Sequence, residues 1–84
     1  MLNIEAYDIP GYMYEGIYRY VEHRILPGSF LEAVLCNDLK EAVARADGQN
    51  IRRLPEYVRF LFNEVPTNCW GSPQAVKEWL TKGE

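Results

Sequence analysis

Residues 27–48 read PGSFLEAVLCNDLKEAVARADG, and their reading decides the fold. Ser29-Phe30-Leu31-Glu32 has the form of a capping box, in which a serine hydroxyl accepts from a free amide one turn in and a glutamate reaches back. Asp38-Leu39-Lys40-Glu41 repeats the form with aspartate at the cap. The apolar series Leu31, Val34, Leu35, Leu39, Ala42, Val43 and Ala46 keeps helical phase across Asn37-Asp38. One helix over 30–46, kinked at that pair, is therefore expected ahead of two short hinged ones, with Asp47-Gly48 as the stop.

The flanking segments carry the same grammar. Asp8, Ile9 and Pro10 can open a first helix, with Asp8 as its cap and proline in the first turn. From Tyr12 to Ile25 the positions Met13, Tyr14, Ile17, Tyr18, Tyr20, Val21 and Ile25 form one face. Glu15, Arg19, Glu22 and His23 form the other, and Pro27-Gly28 ends the helix. Pro55 disturbs the segment after Gly48, so either a short turn covers Gln49–Leu54 or a helix starts at Asn50 and bends. Val58, Leu61, Phe62 and Val65 then make a stripe that Pro66 closes. Ser72-Pro73 starts the last helix, with Val76, Trp79 and Leu80 as its apolar edge.

No segment alternates with period two. The expectation is an all-α fold, a compact bundle of four to five short helices in a single domain over residues 1–84, with 1–8 a loose N-terminal arm. The expected core is Ile17, Val21, Leu31, Val34, Leu35, Leu39, Val43, Val58, Leu61, Phe62, Val76 and Leu80.

Composition excludes several classes of function. The net charge of −3 is opposite to the basic footprint that general nucleic-acid binding needs. No apolar run approaches the roughly 18 residues of a membrane span. The N-terminus carries acids where a signal peptide carries lysines, so a cytoplasmic protein is expected. One histidine and two distant cysteines, Cys36 and Cys69, give no metal-ligand spacing, and no cofactor is expected. Ser29 and Ser72 have capping positions, no glycine-rich phosphate loop occurs, and no catalytic constellation assembles. An enzyme is not expected.

The candidate binding residues are of three kinds. Arg45, Arg52 and Arg53, with Arg59, cluster in one third of an otherwise acidic chain, flanked by Asn37, Asp38 and Asn50. Arginine forks suit phosphates and asparagine reads amide or base edges, although Glu41–Arg45 and Arg52–Glu56 also have the spacing of plain surface pairs. Tyr14 and Tyr18 flank the core stripe of the first helix, where they either pack or stack on a ligand. Trp70, between Cys69 and Gly71, either staples the bundle against Val76 and Trp79 or anchors a ligand or partner. Six tyrosines in a domain with little core lead to the expectation of a homo-oligomer, a dimer or higher, with first-helix tyrosines at or near the contact.

These residues also resemble a family. Pro27-Gly28-Ser29-Phe30, Ala33-Val34-Leu35, Asn37-Asp38-Leu39, Arg45-Ala46-Asp47, Asn63, Pro66 and Cys69-Trp70-Gly71-Ser72 resemble, in order and spacing, a widespread family of small proteins of tailed phages and prophages. The likeness covers roughly residues 17–81. It implies a phage-type accessory protein in a host cytoplasm and carries over no catalytic residue. Such a protein is expected to bind stoichiometrically. It would act as a host-defence antagonist that sequesters a nucleotide signal in an oligomer, or as an inhibitor or adaptor that meets a host or phage protein through its aromatic face.

Overall fold

The computed structural model describes residues 2–82, and they form five α-helices joined by tight turns: α1 Tyr14–His23, α2 Ser29–Leu35, α3 Leu39–Arg45, α4 Leu54–Glu64 and α5 Pro73–Thr81. Short 3-10 turns at Ile4–Ala6, Gly11–Met13, Ile51–Arg53 and Thr67–Cys69 fill the connections. Among the described residues there is no strand, and no helix is long and apolar enough to cross a membrane. The fold is all-α, as expected from the capping and spacing signals.

The stretch 27–48 is two helices, not one. Asn37 adopts a left-handed conformation (φ 59°), which no α-helix accommodates, and Asp38 caps α3 by accepting from the Glu41 amide at 3.3 Å. That single positive φ reorients α3, so the apparent phase continuity across the junction is broken in space. Only Ala42 of α3 is buried, while Leu39 and Val43 are 68 % and 47 % exposed. Ser29 is the first residue of α2 rather than its cap; Gly28 holds the cap position and its carbonyl accepts from the Glu32 amide.

Other boundaries shift for identifiable reasons. Asp8 does not cap the first helix; it pairs with Arg53 at 3.1 Å, and Pro10 precedes a 3-10 turn that leads into α1. α1 ends at His23, before Pro27, because Arg24 turns left-handed (φ 57°) and closes the helix with its amide on the Arg19 and Tyr20 carbonyls. Ile25 and Leu26 consequently face water. Pro55 lies in the first turn of α4, after a short turn, where its missing N–H costs nothing. Ser72 caps α5, its hydroxyl accepting from the Ala75 amide at 3.1 Å.

The core forms around α4. Its inward stripe is Tyr57, Phe60 and Leu61, at helical spacing, and not the expected Val58–Leu61–Phe62. Val58 and Phe62 are 48 % and 74 % exposed. Ile17, Leu31, Val34, Leu35, Leu61 and Val76 are buried as expected, and Val21 and Leu80 are half-buried. Tyr20, Phe30 and Trp79 complete the interior. Phe30 meets Tyr57 edge-on at 5.2 Å, and Tyr7 meets Phe60 in the same way at 5.5 Å.

The N-terminal segment is no loose arm. Ile4 and Ile9 are buried, the Tyr7 hydroxyl donates to Glu64, and the Asn3 and Asp8 amides donate to Glu64 and Glu56. Two carboxylates on α4 thereby satisfy the backbone of a segment that has no regular partner of its own. Met1 lies outside the described residues.

Candidate functional site

Two of the arginine and asparagine candidates meet in one place. Arg45 and Asn50 line a cleft of about 340 Å³ together with Tyr12, Met13, Ser29 and Asp47. The chain brings them together by folding the start of α1 and the start of α2 against the turn that follows α3. Asp47 organises that turn. Its Oδ1 accepts from the Gln49 and Asn50 amides at 3.0 and 2.7 Å, and its Oδ2 accepts from the Tyr12 hydroxyl at 2.7 Å. Asn50 is buried, accepts from the Tyr57 hydroxyl at 2.6 Å, and directs its Nδ2 to Met13 Sδ at 3.8 Å. Tyr57 in turn packs on Phe30, so the floor of the cleft is fixed by the core.

The cleft is chemically mixed. Arg45 bonds Glu41 through Nε at 2.9 Å, which leaves the far edge of its guanidinium without a partner among the described residues. The Ser29 hydroxyl, also in the cleft lining, has no hydrogen-bond partner among the described residues. Tyr12, 58 % exposed, holds its ring out at the rim because its hydroxyl is tied to Asp47. The Asp47 carboxyl is held below its usual range, first by the Tyr12 hydroxyl and then by the Asn50 amide, with the Gln49 amide and the Arg53 charge adding and desolvation opposing. The same bond pushes the Tyr12 hydroxyl up. Such an arrangement offers an anion-binding edge, a free hydroxyl, an anchored aromatic face and a carboxylate that stays ionised.

This gives a first prediction. Tyr12→Phe should raise the Asp47 pKa toward the ordinary value of about 3.9, as read by NMR titration of the carboxyl carbon. The sign follows from the depressed folded-state value. The stabilisation Asp47 contributes is complete above about pH 4 and is lost as pH falls through the lowered pKa. An Asp47 that titrates identically in both proteins would show that the bond does not persist in solution.

The other candidates lie apart. Arg53 is committed to Asp8 and to the Gln49 carbonyl, near enough to Asp47 to act on its charge but outside the cleft lining. Arg52 is exposed and has no ion-pair partner among the described residues, because Glu56 pairs with Arg59 at 2.6 Å instead. Asn37 and Asp38 form the α2–α3 hinge. Tyr14 and Tyr18 are half-buried against the core. Trp70 is also half-buried against the core, with its indole nitrogen enclosed and unpartnered, in a loop tied down on both sides. The Gly71 amide donates to the Leu35 carbonyl at 2.7 Å, and the Tyr20 hydroxyl donates to the Cys69 carbonyl at 2.6 Å. Trp70 lies outside the cleft lining.

Cys36 and Cys69 are free, and burial pushes the Cys69 thiol up to about 11. Among the described residues no cluster of histidine, cysteine and acidic side chains has the makings of a metal site. Sequence reasoning missed Tyr12 and treated Ser29 and Asp47 only as helix punctuation. Tyr12 and Asp47 are 35 positions apart, and no local pattern announces their bond. No protein-family model, curated protein or solved structure matches the chain.

Proposed function

We propose that the chain is a non-enzymatic, phage-type binding protein, active in a host cytoplasm as a host-defence antagonist. It takes a small nucleotide in the cleft bounded by Tyr12, Ser29, Arg45, Asp47 and Asn50, as part of a homo-oligomer. The supporting observation is the convergence in one cleft of an arginine with a free guanidinium edge, a free hydroxyl and an aromatic ring anchored by a carboxylate. Each element has a counterpart in a nucleotide. Arg45 and Ser29 suit a phosphate, the Tyr12 face suits a base, and Asp47 has lone pairs for a sugar hydroxyl or an exocyclic amine. The volume lies at the lower end of small-ligand sites, which fits one nucleotide unit rather than a polymer. The phage-type assignment rests on the resemblance in residues 17–81.

The test is a thermal-shift and calorimetric panel of linear and cyclic mono- and dinucleotides. A ligand held at about 100 times its Kd stabilises the folded state by about 2.7 kcal/mol, which in a domain this size raises the melting temperature by roughly 10 °C or more. Arg45→Ala should weaken that binding at least about tenfold, the worth of a charge-assisted hydrogen bond, while the unliganded protein melts as before. No shift with any nucleotide, or an affinity indifferent to Arg45, would remove this reading.

A further inference from the structure

Asn50 is 3 % exposed, yet its side chain belongs to the lining of the cleft. The two ends of its amide are unequally engaged. Oδ1 accepts from the Tyr57 hydroxyl at 2.6 Å, the one hydrogen bond that hydroxyl makes among the described residues. Tyr57 is 1 % exposed, and burial first, then Tyr12 and Asp47, push its pKa up against the Arg53 charge. The hydroxyl therefore stays protonated and needs an acceptor. That need fixes which way the amide points and turns Nδ2 away from Tyr57.

Nδ2 carries two N–H groups, and among the described residues its single partner is the Met13 thioether at 3.8 Å. Sulfur is a weak acceptor, so a buried donor that would ordinarily be paired is left underused. Met13 itself lines the cleft, and its unbranched side chain repacks at little cost.

We infer that Asn50 Nδ2 reads a carbonyl oxygen on the base of the bound nucleotide, so that the cleft selects oxo bases over their amino counterparts. The inference rests on the nucleotide reading of the cleft and adds the class of base. The contact by which asparagine reads adenine uses both ends of the amide. Here Tyr57 holds the acceptor end, and only donation is left. An exocyclic amine brought to Nδ2 would set donor against donor and leave both unpaired in a buried place. An exocyclic carbonyl meets Nδ2 with an acceptor stronger than the thioether. A phosphate does not suit this end of the cleft. Arg45 and Ser29 are exposed, whereas buried Asn50 shares the lining with Met13, Phe30 and Leu31, where a charged group would exchange its water for one neutral donor.

The test is calorimetric titration with two pairs of probes, inosine against adenosine monophosphate and uridine against cytidine monophosphate. The members of each pair differ only in the oxo or amino group and in the proton on the adjoining ring nitrogen. The oxo member should bind about tenfold tighter or more, the discrimination expected when the alternative leaves a buried donor unpaired. Tyr57 is a positioning residue in this scheme. Tyr57→Phe frees the amide to turn over, and the oxo-to-amino ratio should fall toward one, a change that a merely structural role would not produce. Arg45→Ala should weaken both members equally and leave the ratio intact.

Equal affinity for the two members of each pair, with binding still dependent on Arg45, overturns this inference and leaves the proposed function standing. A preference that survives Tyr57→Phe also overturns it, by placing the discrimination elsewhere. An oxo preference that Tyr57→Phe abolishes, in a protein whose affinity ignores Arg45→Ala, upholds the role of Asn50 and strikes the phosphate assignment instead. Binding of none of the four probes removes both readings.

Discussion

Phe60→Ala is expected to destabilise the protomer by about 3–5 kcal/mol. Phe60 is 0 % exposed at the centre of α4, edge-on to Tyr7, and borders a void of about 10 Å³ walled by Ile17, Tyr20, Leu31, Leu35 and Tyr57. Deleting the ring enlarges that void among side chains from every direction, so the surroundings have little room to collapse, and the full cavity term applies. For 84 residues the whole stability is on the order of 4–13 kcal/mol. One substitution thus removes a large share, which a urea melt reads as a much lower midpoint at unchanged slope. Phe62→Ala is the internal control. The residue type, helix and substitution are the same two positions away, but its ring is 74 % exposed. Measured on dilute monomer, it should cost less than about 0.5 kcal/mol. A Phe60→Ala loss below about 1 kcal/mol would show that α4 is turned differently.

Trp79→Ala carries the second large effect, again about 3–5 kcal/mol. Trp79 is the tie between the last helix and the first. Its ring is 9 % exposed, its Nε1 donates to the Tyr20 carbonyl at 2.8 Å, and the Arg24 guanidinium lies 4.1 Å above it. Trp79→Phe divides the effect into parts. Most of the apolar area stays, the hydrogen bond goes, and the Tyr20 carbonyl retains only the Arg24 amide. The expected cost is about 1 kcal/mol for the lost bond, plus the cavity left by the smaller ring. The left-handed Arg24 is held over the indole, so the near-ultraviolet circular dichroism of the Trp79→Phe protein should also change. A Trp79→Phe protein as stable as wild type would show that the indole bond is not made.

The candidate site was half legible. Arg45 and Asn50 were picked out by residue type and local clustering, and both line the cleft. Arg52, Arg53 and Asn37 had the same credentials and do not line it, since clustering in sequence says nothing about direction in space. Tyr12 and Asp47 were illegible as a pair. Their bond is made by the docking of the 3-10 turn before α1 against the turn after α3, and the aspartate's local role as a turn residue fully accounted for its presence.

The sequence by itself determined where helices can exist. Asp38 and Ser72 before apolar runs, Pro55 and Pro73 in first turns, and Gly48 and Pro66 past helix ends are local instructions, set by which backbone groups lack partners and which φ values are allowed. It also supplied most of the core of α1, α2 and α5, where one stripe is clearly more apolar than the rest. Tertiary structure decided which face points inward when a helix has two apolar candidates. On α4, Tyr57, Phe60 and Leu61 compete with Val58, Leu61 and Phe62, and the larger aromatic set is buried because Tyr7 and Phe30 pack against it edge-on. On α3 the face was decided by one residue, Asn37, whose left-handed backbone turns Leu39 and Val43 out of the core. A hydrophobic stripe states that burial is favourable. Which surface does the burying is a property of the neighbours, and those are fixed only when the helices meet.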